Sequence, residues 1–234
     1  MENKDYLDLA AFWDSNFALS EEEKEKILAE LHPSDDFLSF APSKTQANVL
    51  MGFAGKKRVL DYGCGSGWAS IILAKAPVEE VIAVDVSLNS IAMTECYAKA
   101  FGVAESIEAM PIDPSWLHEQ KEEGYDGFFS SNVIDVVPLE MAKDIIAESA
   151  RILQSGALVV YSLNYYADPQ EMEKRGCLVK GPQIYMNGVL RLTSLKDEEW
   201  EALFEKDFEL LSLSYYAWPG EEKATRRLFV LKKK

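Results

Sequence analysis

Residues Leu60–Ser70 read LDYGCGSGWAS, with Gly63, Gly65 and Gly67 at alternate positions behind Asp61. The apolar pair Val59-Leu60 runs into these glycines, and an apolar run, Trp68–Ala76, leaves them. A strand that turns into a helix in this way leaves free backbone amides facing whatever lies beyond the strand's end. Glycines let the backbone turn sharply and let a ligand come close. The spacing is GxGxG; it is not the GxGxxG of dinucleotide folds, and no GxxxxGK(S/T) phosphate loop is present. Gly52–Lys57 (GFAGKK) has the wrong spacing for such a loop and precedes a strand. A carboxylate just upstream of the turn is poorly placed for a pyrophosphate and suits a ligand end carrying a positive amine.

A second acid stands in register with the first. Asp85 closes the next apolar strand, EVIAVD, 18 residues beyond Gly67. A carboxylate at that place accepts the hydroxyls of a ribose. The ligand so described has a ribose and a cationic part but no compulsory phosphate, and S-adenosylmethionine meets each condition.

The elements that must position these groups alternate along the chain. Apolar strands are expected at 58–62, 80–85, 106–110, 127–131 and 157–163, separated by helices at 68–76, 88–101, 114–122 and 139–153. Short apolar strands spaced by helices imply a parallel sheet covered on both faces. Before residue 55 the chain reads as helices, with capping signatures at Ser20–Glu23 and Ser43–Gln46. After 164 the pattern changes. Asn187-Gly188 between two apolar runs marks a hairpin, Ser194–Asp197 then caps a helix through Phe204, and two final strands are expected at 208–215 and 226–231. This predicts an α/β fold: a Rossmann-like seven-stranded sheet, mostly parallel with an antiparallel last strand and helices on both faces. Residues 1–54 would form a helical cap, 55–234 the main domain, and 165–193 a substrate-binding insertion.

The stretches VLDYGCGSGWASIILA and VIAVDVS resemble the class I S-adenosylmethionine-dependent methyltransferases, and GYDGFFSSNVIDVVP and ARILQSGALVVYSL look like that family's later motifs. The resemblance covers roughly residues 55–165. It implies that Asp61, Gly63 and Gly65 border the methionine part, with Asp61 reaching the amine, that Asp85 holds the ribose, and that Cys64, Gly67 and Val86 belong to the same cofactor-binding set. Asp113 falls where the family often binds the adenine amino group, with Ile112 or Trp116 packed on the ring. Ser131 and Asn132 would sit beside the methyl group. Many small-molecule members resemble N-x-L-H-H-x-P at the end of the fourth strand. Here the stretch is Asn132-Val133-Ile134-Asp135-Val136-Val137-Pro138, without a histidine, so Asp135 is the substitute available as a base. Asp135 and Asn132 are therefore the catalytic candidates. An acid or phenol can arrive ionised, whereas an amine or activated carbon would call on Asp135 or a tyrosine.

The aromatic group Tyr6, Phe12, Trp13 and Phe17 is a helix packing face that can also close over the site, because the family's N-terminal helices commonly do so. Trp13, Phe17, Tyr165, Tyr166 and Tyr185 are the substrate-lining candidates. The two histidines, His32 and His118, fall in no ligand pattern, so no metal is expected.

Composition narrows the function. The net charge of −15 disfavours nucleic acid as a substrate. Three cysteines without CxxC spacing fit a reduced, cytoplasmic setting. The start MENKDYLD has no apolar stretch of a signal peptide, and no run approaches a membrane span. The expected activity is methyl transfer from S-adenosylmethionine, leaving S-adenosylhomocysteine, to a small-molecule acceptor. A protein or peptide methyltransferase and a cofactor-binding, non-catalytic partner subunit are the alternatives.

Overall fold

The computed structural model describes residues 4–234, with side chains from residue 7 onward, so the Tyr6 ring lies outside the described residues. Two helices, α1 (Lys4–Asn16) and α2 (Glu21–Glu30), precede α3 (Lys44–Leu50). Ser20 caps α2 through a complete capping box with Glu23, and the Ser43 hydroxyl accepts from the Gln46 amide at the start of α3.

The central unit then unfolds in chain order as β1 (Arg58–Tyr62), α4 (Trp68–Lys75), β2 (Glu80–Asp85), α5 (Leu88–Ala100), β3 (Ile107–Pro111), α6 (Trp116–Glu119), β4 (Tyr125–Ser131), α7 (Leu139–Ile152) and β5 (Leu153–Leu163). A short helix α8 (Pro169–Lys174) leads into β6 (Leu178–Lys180), β7 (Gln183–Met186) and β8 (Val189–Thr193). Finally come α9 (Asp197–Phe204), β9 (Phe208–Tyr216) and β10 (Arg226–Lys233).

The main sheet has seven strands in the order β3-β2-β1-β4-β5-β10-β9. β1 to β5 run parallel, and β10 runs antiparallel between β5 and β9. The inner strands read as apolar runs because both faces are covered; Val59, Leu60, Val81, Ile82, Phe128 and Phe129 are all buried. On one face, Ala47, Leu50 and Phe53 join Ile72 and Leu73 of α4. On the other, Ile145 and Ile146 of α7 join Trp200 and Phe204 of α9.

The strand order reverses between β1 and its neighbour β4, because β2 and β3 lie to one side and β5 to the other. Connections leave the sheet in opposite directions at such a point and open a crevice beyond the strand ends, where ligands bind in open α/β sheets. The separate β6-β7-β8 sheet is antiparallel, with Asn187-Gly188 forming the two-residue turn of its second hairpin. It reaches α1 through Arg191, whose guanidinium lies 4.0 Å from the Phe12 ring centroid.

Candidate active site

The glycine turn is held before any ligand arrives. Gly63, Gly65 and Gly67 have φ of 78, 54 and 76°. The amides of Gly63 and Cys64 both donate to the Val84 carbonyl, at 2.8 and 3.0 Å, which ties the turn to β2. The amide of Gly65 donates to Asp85 Oδ2 at 3.0 Å, and that of Ser87 to Asp85 Oδ1 at 2.9 Å. Asp85 thus organises two turns as well as facing the cavity beside them.

Asp61 is buried and accepts from the Ser70 hydroxyl at 2.5 Å. Burial pushes its pKa up to about 7; the Ser70 bond opposes this, and the nearby Asp85 carboxylate adds to the rise. Burial also raises Asp85, against the pull of the turn amides. The two buried acids share one cavity whose wall, among the described residues, holds no lysine, arginine or histidine, so a positively charged group entering it would lower their cost.

The two acids open onto a cavity of about 430 Å³. Gly63, Cys64 and Gly65 of the turn line it, as do Val86, Ile112, Ser131 and Asn132. Asn132 has φ of 55°, and its amide donates to the Ser162 carbonyl at 2.7 Å, which fixes the chain as it leaves β4. Its side-chain Oδ1 is buried and has no partner among the described residues. Cys64 is buried, its Sγ 3.5 Å from Thr94 Oγ1, and burial pushes its thiol well up; it is a packing group rather than a nucleophile.

The roof comes from α1 and the residue that follows it. Leu9, Ala10, Trp13 and Phe17 line the cavity. Trp13 and Phe17 stack at 6.2 Å between centroids, and a Cβ at Gly65 would stand 3.2 Å from Phe17 Cζ. Asp14 fastens the roof to the start of α5. Its carboxylate accepts from the Ser87 hydroxyl at 2.6 Å, the Asn89 amide at 3.2 Å and Asn89 Nδ2 at 3.0 Å. These bonds hold the Asp14 carboxyl below its usual range. Asp14→Ala is expected to loosen α1 and weaken S-adenosylhomocysteine binding by about 10-fold, roughly the 1.4 kcal/mol of one charge-assisted hydrogen bond in a partly exposed setting. Calorimetry with an unchanged affinity would show that α1 does not serve as a roof.

Other expected site residues lie elsewhere. Gly67 precedes α4 and packs against Thr94 of α5, off the cavity wall. Asp113 is exposed, and one of its oxygens accepts from both the amide and the hydroxyl of Ser115, each at 2.7 Å, so that it serves the turn into α6. Asp135 is fully buried off the wall. Its Oδ2 accepts from the Asn164 amide at 2.6 Å and from Asn164 Nδ2 at 2.9 Å. Tyr165 and Tyr166 are exposed, and Tyr185 is buried with Lys180 over its ring; none of the three lines the cavity. Sequence reasoning missed Trp218, Met141, Asp144 and Ile145, which do. The signal for Trp218 was slight, a tryptophan beside Pro219-Gly220 in a loop.

The Asp61 value gives a pH dependence with a definite sign. A bound ammonium lowers the Asp61 pKa in the complex, so binding releases a proton wherever free Asp61 is still protonated. Affinity for S-adenosylhomocysteine is therefore expected to fall up to tenfold per unit as pH drops below about 7, and to level off above it. Asp61→Asn should flatten that profile. Calorimetry in buffers of different ionisation enthalpy reads the released proton directly, and no release at pH 6.5 would rule out Asp61 as the titrating group.

A sheet in this order, with a glycine turn between two buried acids and a roofed crevice at the switch point, is a Rossmann-like α/β fold with a ligand-sized site at its carboxyl edge. Residues 59–156 match the family model described as a methyltransferase domain. An uncharacterized protein of Haemophilus influenzae is 28% identical over 109 residues, 47% of this chain and 43% of its own. The chain thus spans less than half the length of that curated relative. A protein from Pyrococcus horikoshii OT3 has a similar structure, with a TM-score of 0.65 at 19% identity over 82% of this chain and 89% of its own. So does geranyl diphosphate C-methyltransferase from Streptomyces coelicolor A3(2), solved with S-adenosylhomocysteine, with a TM-score of 0.61 at 14% identity over 82% of this chain and 76% of its own. Among the described residues, no helix is long and apolar enough to cross a membrane, and no cluster of side chains could hold a metal.

Proposed function

We propose that the chain transfers a methyl group from S-adenosylmethionine to a small-molecule acceptor in a cytoplasmic setting. The observation that carries this reading is a single cavity running from the acid pair Asp61 and Asp85 to Asn132 at the end of β4, with α1 as its roof. Asp61 would meet the amine, Asp85 the ribose, and Val86 and Ile112 the nucleoside face. The sulfonium methyl is already electrophilic, so the protein's part is to align the nucleophile with the methyl–sulfur bond and keep water out. A roofed cavity suits a small acceptor; a peptide would need an open groove.

The test begins with binding. S-adenosylhomocysteine and S-adenosylmethionine are expected to bind in calorimetry, with NAD and ATP much weaker; equal affinity for NAD would overturn the reading of the glycine spacing. A screen of phenols, amines and carboxylic acids by homocysteine release then looks for turnover. Cofactor binding with no turnover across small molecules, but with methylation of a peptide library, would shift the acceptor to the protein class.

A further inference from the structure

The cavity wall has a one-sided chemistry. Among the described residues it carries three carboxylates, Asp61, Asp85 and Asp144, and no lysine, arginine or histidine. Asp144 is half-exposed and already paired with His118 Nε2 at 2.9 Å, and the arginines near the wall are engaged by other groups. Arg191 lies over Phe12, Arg226 pairs with Glu221 at 2.7 Å and lies over Trp218, and Arg227 donates to the carbonyls of Asn164 and Leu195. A carboxylate or phosphate entering this space would give up its hydration without a counter-charge, and the chain's net charge of −15 opposes its approach.

Much of the wall beyond the acid pair is apolar, with Leu9, Val136, Val137, Met141 and Ile145 lining it together with Trp13 and Trp218. At the β4 end stands the Asn132 amide, with its buried Oδ1 unpartnered. An unpaired buried acceptor is costly, and a turn of the amide about χ2 would bring Oδ1 to the cavity, where a donating ligand removes that cost. The carboxylates near it are already engaged: Asp135 is off the wall and bound to Asn164, Asp144 is paired with His118, Asp61 accepts from Ser70, and Asp85 holds the turn amides of Gly65 and Ser87. An alcohol would need its proton removed before it could attack. A weakly basic nitrogen needs no such help, because its lone pair is free at neutral pH.

We propose that the acceptor is an uncharged aromatic or heteroaromatic amine on an apolar body, with its N–H donated to Asn132 Oδ1. This rests on the methyl-transfer reading above. The nitrogen lone pair forms the new N–CH3 bond while the electron pair of the CH3–S bond withdraws onto sulfur. The positive charge passes from sulfur to nitrogen within the acid-lined cavity, and the surplus proton leaves to water with the product. Asn132 orients the lone pair and moves no proton.

The experiment compares one ring skeleton bearing an amine, a hydroxymethyl or a carboxylate group, with kcat/KM read by homocysteine release. At saturating S-adenosylmethionine, where the Asp61 dependence of cofactor binding does not enter, the amine is expected to exceed both others by at least about 100-fold, with a rate that rises with pH only through the amine's own pKa. Asn132→Gly keeps the backbone free to adopt φ of 55° and removes the amide. It is expected to lower kcat/KM for the amine by about 10- to 100-fold while S-adenosylhomocysteine affinity stays within about threefold. Faster turnover of the carboxylate or alcohol, no turnover of any amine, or an unchanged kcat/KM in Asn132→Gly would overturn the inference. Loss of S-adenosylhomocysteine binding in the unaltered protein would instead overturn the methyl-transfer reading beneath it.

Discussion

Gly67→Ala is expected to lower the stability of the fold by roughly 2–6 kcal/mol and to abolish ligand binding with it. Gly67 holds φ of 76°, where a side chain crowds the following carbonyl. Space is the second obstacle. A Cβ would stand 2.7 Å from Thr94 Oγ1, 2.8 Å from Thr94 Cγ2 and 2.9 Å from Thr94 Cα. Thr94 could rotate its side chain, but its Cα moves only with α5. The glycine therefore lets α4 begin in contact with α5, and its role is the approach of two helices rather than contact with a ligand. In a chain of this size each kcal/mol shifts the melting temperature by about 2–4 °C. A melting temperature within about 2 °C of the unaltered protein would show that the two helices can part freely.

Asp85→Asn is expected to act in the opposite sense, removing affinity while leaving the fold intact. The carboxylate is buried beside Asp61, and burial raises its pKa, so the folded protein carries it at a cost when no ligand is present. The ribose hydroxyls would donate two charge-assisted hydrogen bonds to it, each contributing about 1.5–3 kcal/mol. Asparagine keeps one acceptor oxygen for the Gly65 or Ser87 amide but loses the charge. S-adenosylhomocysteine affinity should fall by about 100-fold or more, while the melting temperature of the free protein holds or rises. A fall in melting temperature with unchanged affinity would reduce Asp85 to a brace for the two turns.

Both expectations show how far the site was legible in the sequence. The strands at 58–62 and 80–85 could be read because a parallel strand buried on both faces leaves an uninterrupted apolar run, and the acids closing them fall at its edge by construction. Trp13 and Phe17 could be read as one face because residues four apart on a helix are neighbours, here with Phe17 just past the helix end. What could not be read is how each polar group is already used. Asp113 and Asp135 both sit in the right loops. Ser115, two residues on, takes the first, and Asn164, from the far end of β5, takes the second. A position along the chain says where a carboxylate begins, not which donors reach it first. Gly67 was legible as a glycine of the turn, but its reason lies in Thr94, on another helix. Trp218 joins the wall from a loop between two strands that pair on the far side of β5, a relation that only the strand order brings about.

The cavity takes Trp13 from the first helix and Trp218 from the loop before the last strand. Its walls are thus among the most non-local contacts of the molecule. Such contacts form only after the loop-closure entropy of the intervening chain has been overcome, which places them late in folding. A partly folded sheet lacking β10, or one from which α1 has peeled away, has no complete cavity to offer. Ligand binding is therefore linked to the whole cooperative unit rather than to the glycine turn alone. At a hundred times its dissociation constant a ligand would add about 2.7 kcal/mol against every opening that separates these two tryptophans. Amide exchange should slow at both ends of the chain together, in α1 and in the β9–β10 hairpin, when one small molecule settles between them.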